Sequence, residues 1–177
     1  MAVGAVNGSG MPVVFPPSVD TFTAVPAEPE QETESGGTLG YTPVASDLYY
    51  SGGYLGTLKI PAIGLSVRVY EGTDSSTLAK GAGHFEGTSI WNGNVSIAGH
   101  NRGVRDDFGD LHTLERGDTV TWITKLGTRT YEVTSVEKVR ETNTSGTAPS
   151  AENMLTLYTC VRNQREYRWQ VRAVEVV

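Results

Sequence analysis

One cysteine, Cys160, stands in a chain of 177 residues. A single thiol excludes an internal disulfide framework and leaves the compartment open. Long apolar runs are also missing, since no stretch approaches the roughly 18 residues that cross a bilayer. The opening M-A-V-G-A-V-N-G-S-G has neither the basic region nor the continuous apolar core of a signal peptide. If the native protein is anchored in a membrane, its anchor lies upstream of this stretch. Basic charge is absent from the first third. Residues 1–58 hold six acids (Asp20, Glu28, Glu30, Glu32, Glu34 and Asp47) and no Lys or Arg, while 59–177 balance 14 acids against 14 bases. The net charge of −6 therefore belongs to the N-terminal segment. Nothing makes a basic footprint for nucleic acid, so no nucleic-acid partner is expected. Long helical periodicity is lacking as well, which leaves a mostly β chain.

What is present divides the chain in two. Residues 1–53 contain six of the eight prolines, the acidic run E-P-E-Q-E-T-E and Ser35-Gly36-Gly37. That composition cannot bury enough apolar area to offset the entropy of ordering, and reads as a flexible linker or tail. The alternative is a strap in which Val13, Val14 and Phe15, or Tyr49 and Tyr50, dock on the domain. From residue 54 onward short alternating runs take over. Residues 56–61, 65–71, 94–100, 119–124, 128–139, 154–160 and 167–177 read as strands. Residues 75–80 and an irregular 105–116, with Phe108, Leu111 and Leu114 inward, read as short helices. The polar stretch 141–153 is a long loop, of the kind that is often functional. Seven or eight short strands and one or two short helices predict a closed or nearly closed β-barrel at 54–177.

Cys160 ends an alternating strand and is followed by Arg162, Arg165 and Arg168. A thiol is nucleophilic as thiolate, and nearby cations favour that form. On position alone a single Cys is more often a small buried hydrophobe. His100 ends another strand. Thiol nucleophile, proton-transfer partner and oxyanion donor are the three roles of covalent acyl transfer, and Cys, His and Arg can fill them. By composition alone His100 is more often an ordinary turn histidine. The three histidines and one cysteine have no zinc-like spacing. Glu132, Glu137 and Glu141 read as a solvated strand face rather than a calcium set. No metal site is expected.

These residues carry a resemblance. L-T-L-Y-T-C at 155–160 resembles the T-L-x-T-C signature of sortases, and Arg168, followed by W-Q-V, matches that family's arginine on the last strand. N-V-S-I-A-G-H-N at 94–101 is similar to the strand ending in the sortase histidine. G-H-F-E-G-T at 83–88, L-E-R-G-D at 114–118 and G-T-L-K-I-P-A-I-G-L at 56–65 resemble further landmarks in the same order. The short Cys160–Arg168 connection and the G-H-F motif are most similar to class D. No aspartate–aromatic lid motif of the pilin-building class is evident in the tail, although Asp47 precedes Leu48 and Tyr49.

The resemblance implies a cysteine transpeptidase on the outer face of a Gram-positive membrane. It would cleave an L-P-x-T-G-like signal between Thr and Gly and join the protein to an amine of a cell-wall precursor or pilin. Cys160 is the implied nucleophile, His100 the acid and Arg168 the oxyanion partner. Thr159, Tyr158, Asn101 and His84 are candidate substrate contacts, His84 also fitting a purely structural role. No cofactor is required. A cysteine peptidase releasing its acyl group to water, or a barrel that binds without catalysis, remain the alternatives from the residues themselves.

Overall fold

The computed structural model describes residues 39–101 and 107–176. Eight strands form the barrel: β1 (Gly56–Ile60), β2 (Leu65–Glu71), β3 (Ala82–His84), β4 (Asn94–Ala98), β5 (Thr119–Thr124), β6 (Gly127–Arg140), β7 (Met154–Val161) and β8 (Gln164–Glu175). Around the closed barrel the order is β1-β2-β3-β4-β7-β8-β6-β5, and β5 returns to β1. The pairs β2–β3 and β4–β7 are parallel and the others antiparallel. The chain is thus mostly β, with one short helix, α1 (Ser75–Leu78), among the described residues. Asp74 caps α1, its carboxylate accepting from the Thr77 N–H at 2.9 Å.

Strand alternation builds the core. Leu58, Val67, Val69, Val95, Ile97, Val120, Trp122, Tyr131, Val133, Leu155, Leu157, Val171 and Ala173 come from seven strands and fill the interior. Phe108, Leu111 and Leu114 are buried with them, as the pattern at 105–116 predicts. Described regular structure there is one 3₁₀ turn, Leu111–Thr113, and residues 102–106 lie outside the described residues.

Several boundaries differ from the sequence reading. β3 sits inside the glycine-rich run 81–88, where a parallel pairing to β2 and an antiparallel pairing to β4 outweigh poor local propensity. The strand expected to end at His100 ends at Ala98. The charged stretch 162–166 is not a five-residue loop. Arg162 and Asn163 form a tight turn, with Asn163 left-handed at φ 63°, and β8 begins at Gln164. β7 is buried on both faces, not one, because the 141–153 loop covers its outer side.

The expected linker is described from Leu39 onward, and there it lies on the barrel. Gly40 bridges to Ser150, donating its N–H to the Ser150 carbonyl at 2.9 Å. The Thr42 carbonyl accepts from the Ile90 N–H at 2.9 Å, and the Thr42 N–H donates to Ser89 Oγ at 3.0 Å. Gly40 and Gly93 pass so closely that a Cβ on Gly40 would lie 2.7 Å from the Gly93 nitrogen. Leu48 is buried in the core cluster, and Tyr50 stacks on Tyr54 with centroids 4.9 Å apart. Val13, Val14 and Phe15, the other strap candidates, lie outside the described residues. Long-range hydrogen bonds, the inserted Leu48 and the half-buried Val44 and Tyr49 packed against the core hold this segment, and none of these leaves a trace in local composition.

Leu48 gives a direct check. Leu48→Ala removes a buried side chain and should lower stability by roughly 2 kcal/mol, read as a lower urea midpoint at unchanged slope. A midpoint equal to that of the parent would mean that 39–53 is a spacer resting on the surface.

Candidate active site

Cys160, Arg168 and the segment around His100 come together at one end of the β4–β7–β8 sheet. β4 and β7 run parallel with Ala98 opposite Tyr158, and three bonds continue the contact past the end of β4. The Gly99 N–H donates to the Tyr158 carbonyl at 3.1 Å, Thr159 Oγ1 donates to the Gly99 carbonyl at 2.8 Å, and Asn101 Nδ2 donates to the Cys160 carbonyl. His100 is therefore held between two residues that are each tied to the last turn of β7. Its own carbonyl accepts from the Phe108 N–H at 2.8 Å. Gly99 is required here by space, since a Cβ would sit 2.9 Å from the Phe108 ring.

Arg168 reaches the site by register. In the β7–β8 pair Cys160 stands opposite Arg168, and the next pairing is Val161 with Gln164. Residues 165–167 are therefore a bulge with no counterpart on β7. A bulge turns carbonyls away from the ladder, and each of these finds a donor. Arg168 Nη1 donates to the carbonyls of Arg165 at 2.7 Å and Tyr167 at 2.9 Å, and the Glu141 N–H donates to that of Glu166 at 2.8 Å. Arg168 is only 1% exposed, and its Nη2 lies 3.7 Å from Glu141 Oε1. Cys160 itself is half-exposed.

The bulge also sets which faces the β8 side chains take. Val171 points into the barrel, but Trp169 sits half-exposed at the barrel mouth, stacked on His112 at 5.5 Å. Tyr167 lies half-buried within cation–π reach of Lys138 and Arg140. Trp169, Thr159, Asn101, Phe108, His112 and Arg162 line a cavity of 210 Å³ beneath the strand ends. Arg165 belongs to β8 and not to a loop, and its side chain is exposed. Arg162 is not simply solvated, since its Nη2 donates to the Asn101 carbonyl at 2.9 Å.

The outer face of β7 and β8 is roofed, not open. Gly146, in the 141–153 loop, lies over Tyr158. Its N–H donates to the Tyr158 hydroxyl at 3.0 Å, and that hydroxyl donates to Gln170 Oε1 at 2.7 Å. The Gly146 carbonyl accepts from Asn94 Nδ2 at 2.6 Å and Ser96 Oγ at 2.9 Å. Thr156 Oγ1 completes the set by donating to Asn94 Oδ1 at 2.9 Å. Beside this network Leu78, Phe85, Ala98, Val139 and Tyr158 form a second apolar cluster, and Cys160 packs against it.

The four candidate substrate contacts are all buried. Tyr158 is fully buried, Thr159 is 1% exposed and Asn101 is 6% exposed, each with the hydrogen bonds already named. His84 is fully buried too. Its Nε2 lies 2.8 Å from the Ser89 carbonyl, so that nitrogen carries a hydrogen, and Nδ1 lies 2.6 Å from Glu71 Oε1. These residues tie strands and loops together, and of the four only Thr159 and Asn101 also line the cavity at the site. Of the three glutamates read as a solvated face, Glu132 and Glu137 are exposed, whereas Glu141 is half-buried against Arg168. No group of three or more His, Cys, Asp or Glu side chains suited to a metal occurs among the described residues.

A family model described as a sortase domain matches residues 58–176. Sortase D of Bacillus subtilis is 33% identical over 108 residues, covering 59% of this chain and 53% of that protein. Sortase A of Listeria monocytogenes is 26% identical over 110 residues, covering 60% of this chain and 49% of that protein. The chain thus spans about half the length of the curated relatives it matches. The crystal structure of sortase C-1 from Streptococcus pneumoniae superposes with a TM-score of 0.69 at 28% identity, over 73% of this chain and 70% of that one.

Desolvation raises the Tyr158 hydroxyl from its ordinary 10.0 to about 12, offset in part by the Gly146 N–H and Arg172. A folded-state value above the unfolded one means stability that is intact below pH 10 and is lost as pH climbs toward 12. Phenolate absorbance should therefore show Tyr158 ionising late, together with alkaline unfolding. Tyr158→Phe should strand the Gly146 N–H and the Gln170 oxygen, at a cost of about 1–3 kcal/mol. A variant as stable as the parent would show that the roof does not depend on this hydroxyl.

Proposed function

The chain belongs to the sortase family, and on that premise we propose that it is a cysteine transpeptidase acting on C-terminal L-P-x-T-G-like signals. The observation that carries the reading is the pairing of half-exposed Cys160 with buried Arg168, beside a His100 segment bonded to residues 158–160. One thiol, one imidazole and one fixed guanidinium at a strand-end corner suit acyl transfer through a thioester.

The steps follow from those groups. The Cys160 thiolate attacks the carbonyl carbon of the signal's threonine, and the carbonyl oxygen takes the negative charge. Arg168 stabilises that oxyanion. The C–N bond to glycine then breaks as protonated His100 gives its proton to the leaving amine. A thioester on Cys160 remains, and His100 is left neutral. An incoming amine attacks the thioester carbonyl and loses a proton to His100. The C–S bond breaks, which regenerates the thiolate and the imidazolium.

The acceptor is an amine of a cell-wall precursor or a pilin, and the enzyme acts at the extracellular face of a Gram-positive cell membrane. No helix among the described residues is long and apolar enough to cross a membrane. Tyr158, Thr159, Asn101 and His84 serve by holding the strand ends in place. Transfer, as opposed to hydrolysis, is tested by incubating enzyme and signal peptide with and without a nucleophilic amine. Amide product formed in preference to free acid supports transfer, and free acid alone contradicts it.

Three outcomes test the residue roles. Cys160→Ala should abolish cleavage while the fold persists, and turnover above a few per cent of the parent would remove Cys160 from the mechanism. Arg168→Ala should cost roughly 10²–10³ in kcat/KM, the size of one lost oxyanion donor, with Arg168→Lys recovering part of it. Arg162→Ala and Arg165→Ala should stay within about tenfold. A crippling Arg165→Ala beside a mild Arg168→Ala would contradict the register. The rate of a chemistry-limited peptide should be bell-shaped in pH, because Cys160 must be thiolate while His100 is protonated. A flat profile would falsify that pair.

A further inference from the structure

The guanidinium of Arg168 is the largest charged group in the buried interior of the site, and at 1% exposure it has lost nearly all its water. A desolvated cation is costly without a compensating charge. Glu141 supplies that charge from the end of β6. Its position is set twice over. β6 pairs with β8 through Val139 opposite Arg168 and Arg140 opposite Tyr167, which carries the chain to the bulge. There the Glu141 N–H donates to the Glu166 carbonyl at 2.8 Å, fixing its backbone against the same three residues whose other two carbonyls receive Arg168 Nη1. The Glu141 carboxylate, 17% exposed, then lies 3.7 Å from Nη2, close enough for an ion pair and too far for a hydrogen bond. Backbone carbonyls orient one end of the guanidinium, and a carboxylate compensates its charge at the other.

We infer that Glu141 is a positioning residue for Arg168, holding the charged guanidinium in the bulge so that its donors meet the oxyanion at a fixed angle. The inference rests on the reading of Arg168 as the oxyanion partner. Its physical basis is that an oxyanion donor is effective only when it is already oriented, since reorganisation during the reaction offsets the gain. Removing the carboxylate leaves the guanidinium buried without this counter-charge, and it turns toward water or draws water in. The loss then falls on the chemical step, which needs the donor in place, and not on peptide binding.

The test uses Glu141→Gln, which keeps shape and removes charge, and Glu141→Asp, which keeps charge and draws it back by one methylene. Each is measured in the parent and in an Arg168→Ala background. With Arg168 present, Glu141→Gln should lower kcat/KM about tenfold, chiefly in kcat with KM within twofold, and Glu141→Asp should lose less. In the Arg168→Ala background Glu141→Gln should cost less than twofold, because the group it positions is gone. The ¹H–¹⁵N signal of the Arg168 Nε–H is a readout independent of turnover, and should move or broaden in Glu141→Gln. A kcat/KM within twofold of the parent, equal losses in both backgrounds, or an unmoved Arg168 signal would each overturn the inference. If the parent itself turns over no sorting-signal peptide, the functional reading has failed. The arginine signal then decides the positioning role alone.

Discussion

The bulge at 165–167 is the constraint on which the site depends. Without it, alternation would run unbroken from Val171 back to Gln164, and the residue facing Cys160 would be set by a regular two-residue turn. Three extra residues on β8 shift the register so that Arg168 stands opposite Cys160. The same three residues expose carbonyls that a regular ladder would have used, and Arg168 itself donates to two of them. Displacement of the strand and immobilisation of the side chain are therefore one event. An arginine side chain gives up on the order of 2 kcal/mol of rotamer freedom when fixed, and hydrogen bonds from a charged donor contribute roughly 1.5–3 kcal/mol each. Two such bonds exceed the entropy lost, so the side chain stays put in the absence of substrate.

The roof over the outer face is the second consequence. A barrel strand with a polar outer face would ordinarily be wet, yet Thr156, Tyr158 and Gln170 are all buried there under Gly146. Every polar group named in this network has a partner, which is the condition under which a buried network stabilises instead of costing. Gly146 admits no side chain, because a Cβ would meet the Tyr158 oxygen at 2.3 Å and the Thr156 methyl at 2.6 Å. The N-terminal segment joins the same construction from outside. Gly40 pairs with Ser150 in the roofing loop, while Thr42 bonds to residues 89–92 on the neighbouring loop. One strap thus links the two loops.

Much of the barrel was legible because alternation reports directly on a strand with one buried face. β1, β2, β5, β6 and β7 fall within a few residues of their expected spans for that reason. Where the physics is not local, the pattern is silent. β3 consists of Ala82, Gly83 and His84, residues with little strand preference, and exists through pairing to neighbours on both sides. The start of β8 is charged and exposed, so it reads as loop, although Asn163 following Arg162 carried the turn signal. Residues 39–50 look like linker because proline and acid content say nothing of a bridge to Ser150, more than a hundred positions away. Motif resemblance drew attention to His100, Cys160 and Arg168. It gave no hint that Glu141, one of three alternating glutamates, leaves the solvent face to meet Arg168. That pairing depends on a bulge in another strand. The burial of the four candidate substrate contacts was hidden for a related reason, since the roof over Tyr158 comes from a loop distant in sequence.

The proposed chemistry requires that Cys160 form a thioester with the acyl part of a sorting signal. Intact-mass spectrometry of the protein incubated briefly with a panel of L-P-x-T-G-like peptides, without added amine and quenched in acid, tests it most directly. The expected result is a mass increase equal to the peptide up to its threonine acyl group, located on Cys160 and discharged by hydroxylamine. An unmodified protein across the whole panel, or an adduct on any other residue, would contradict it.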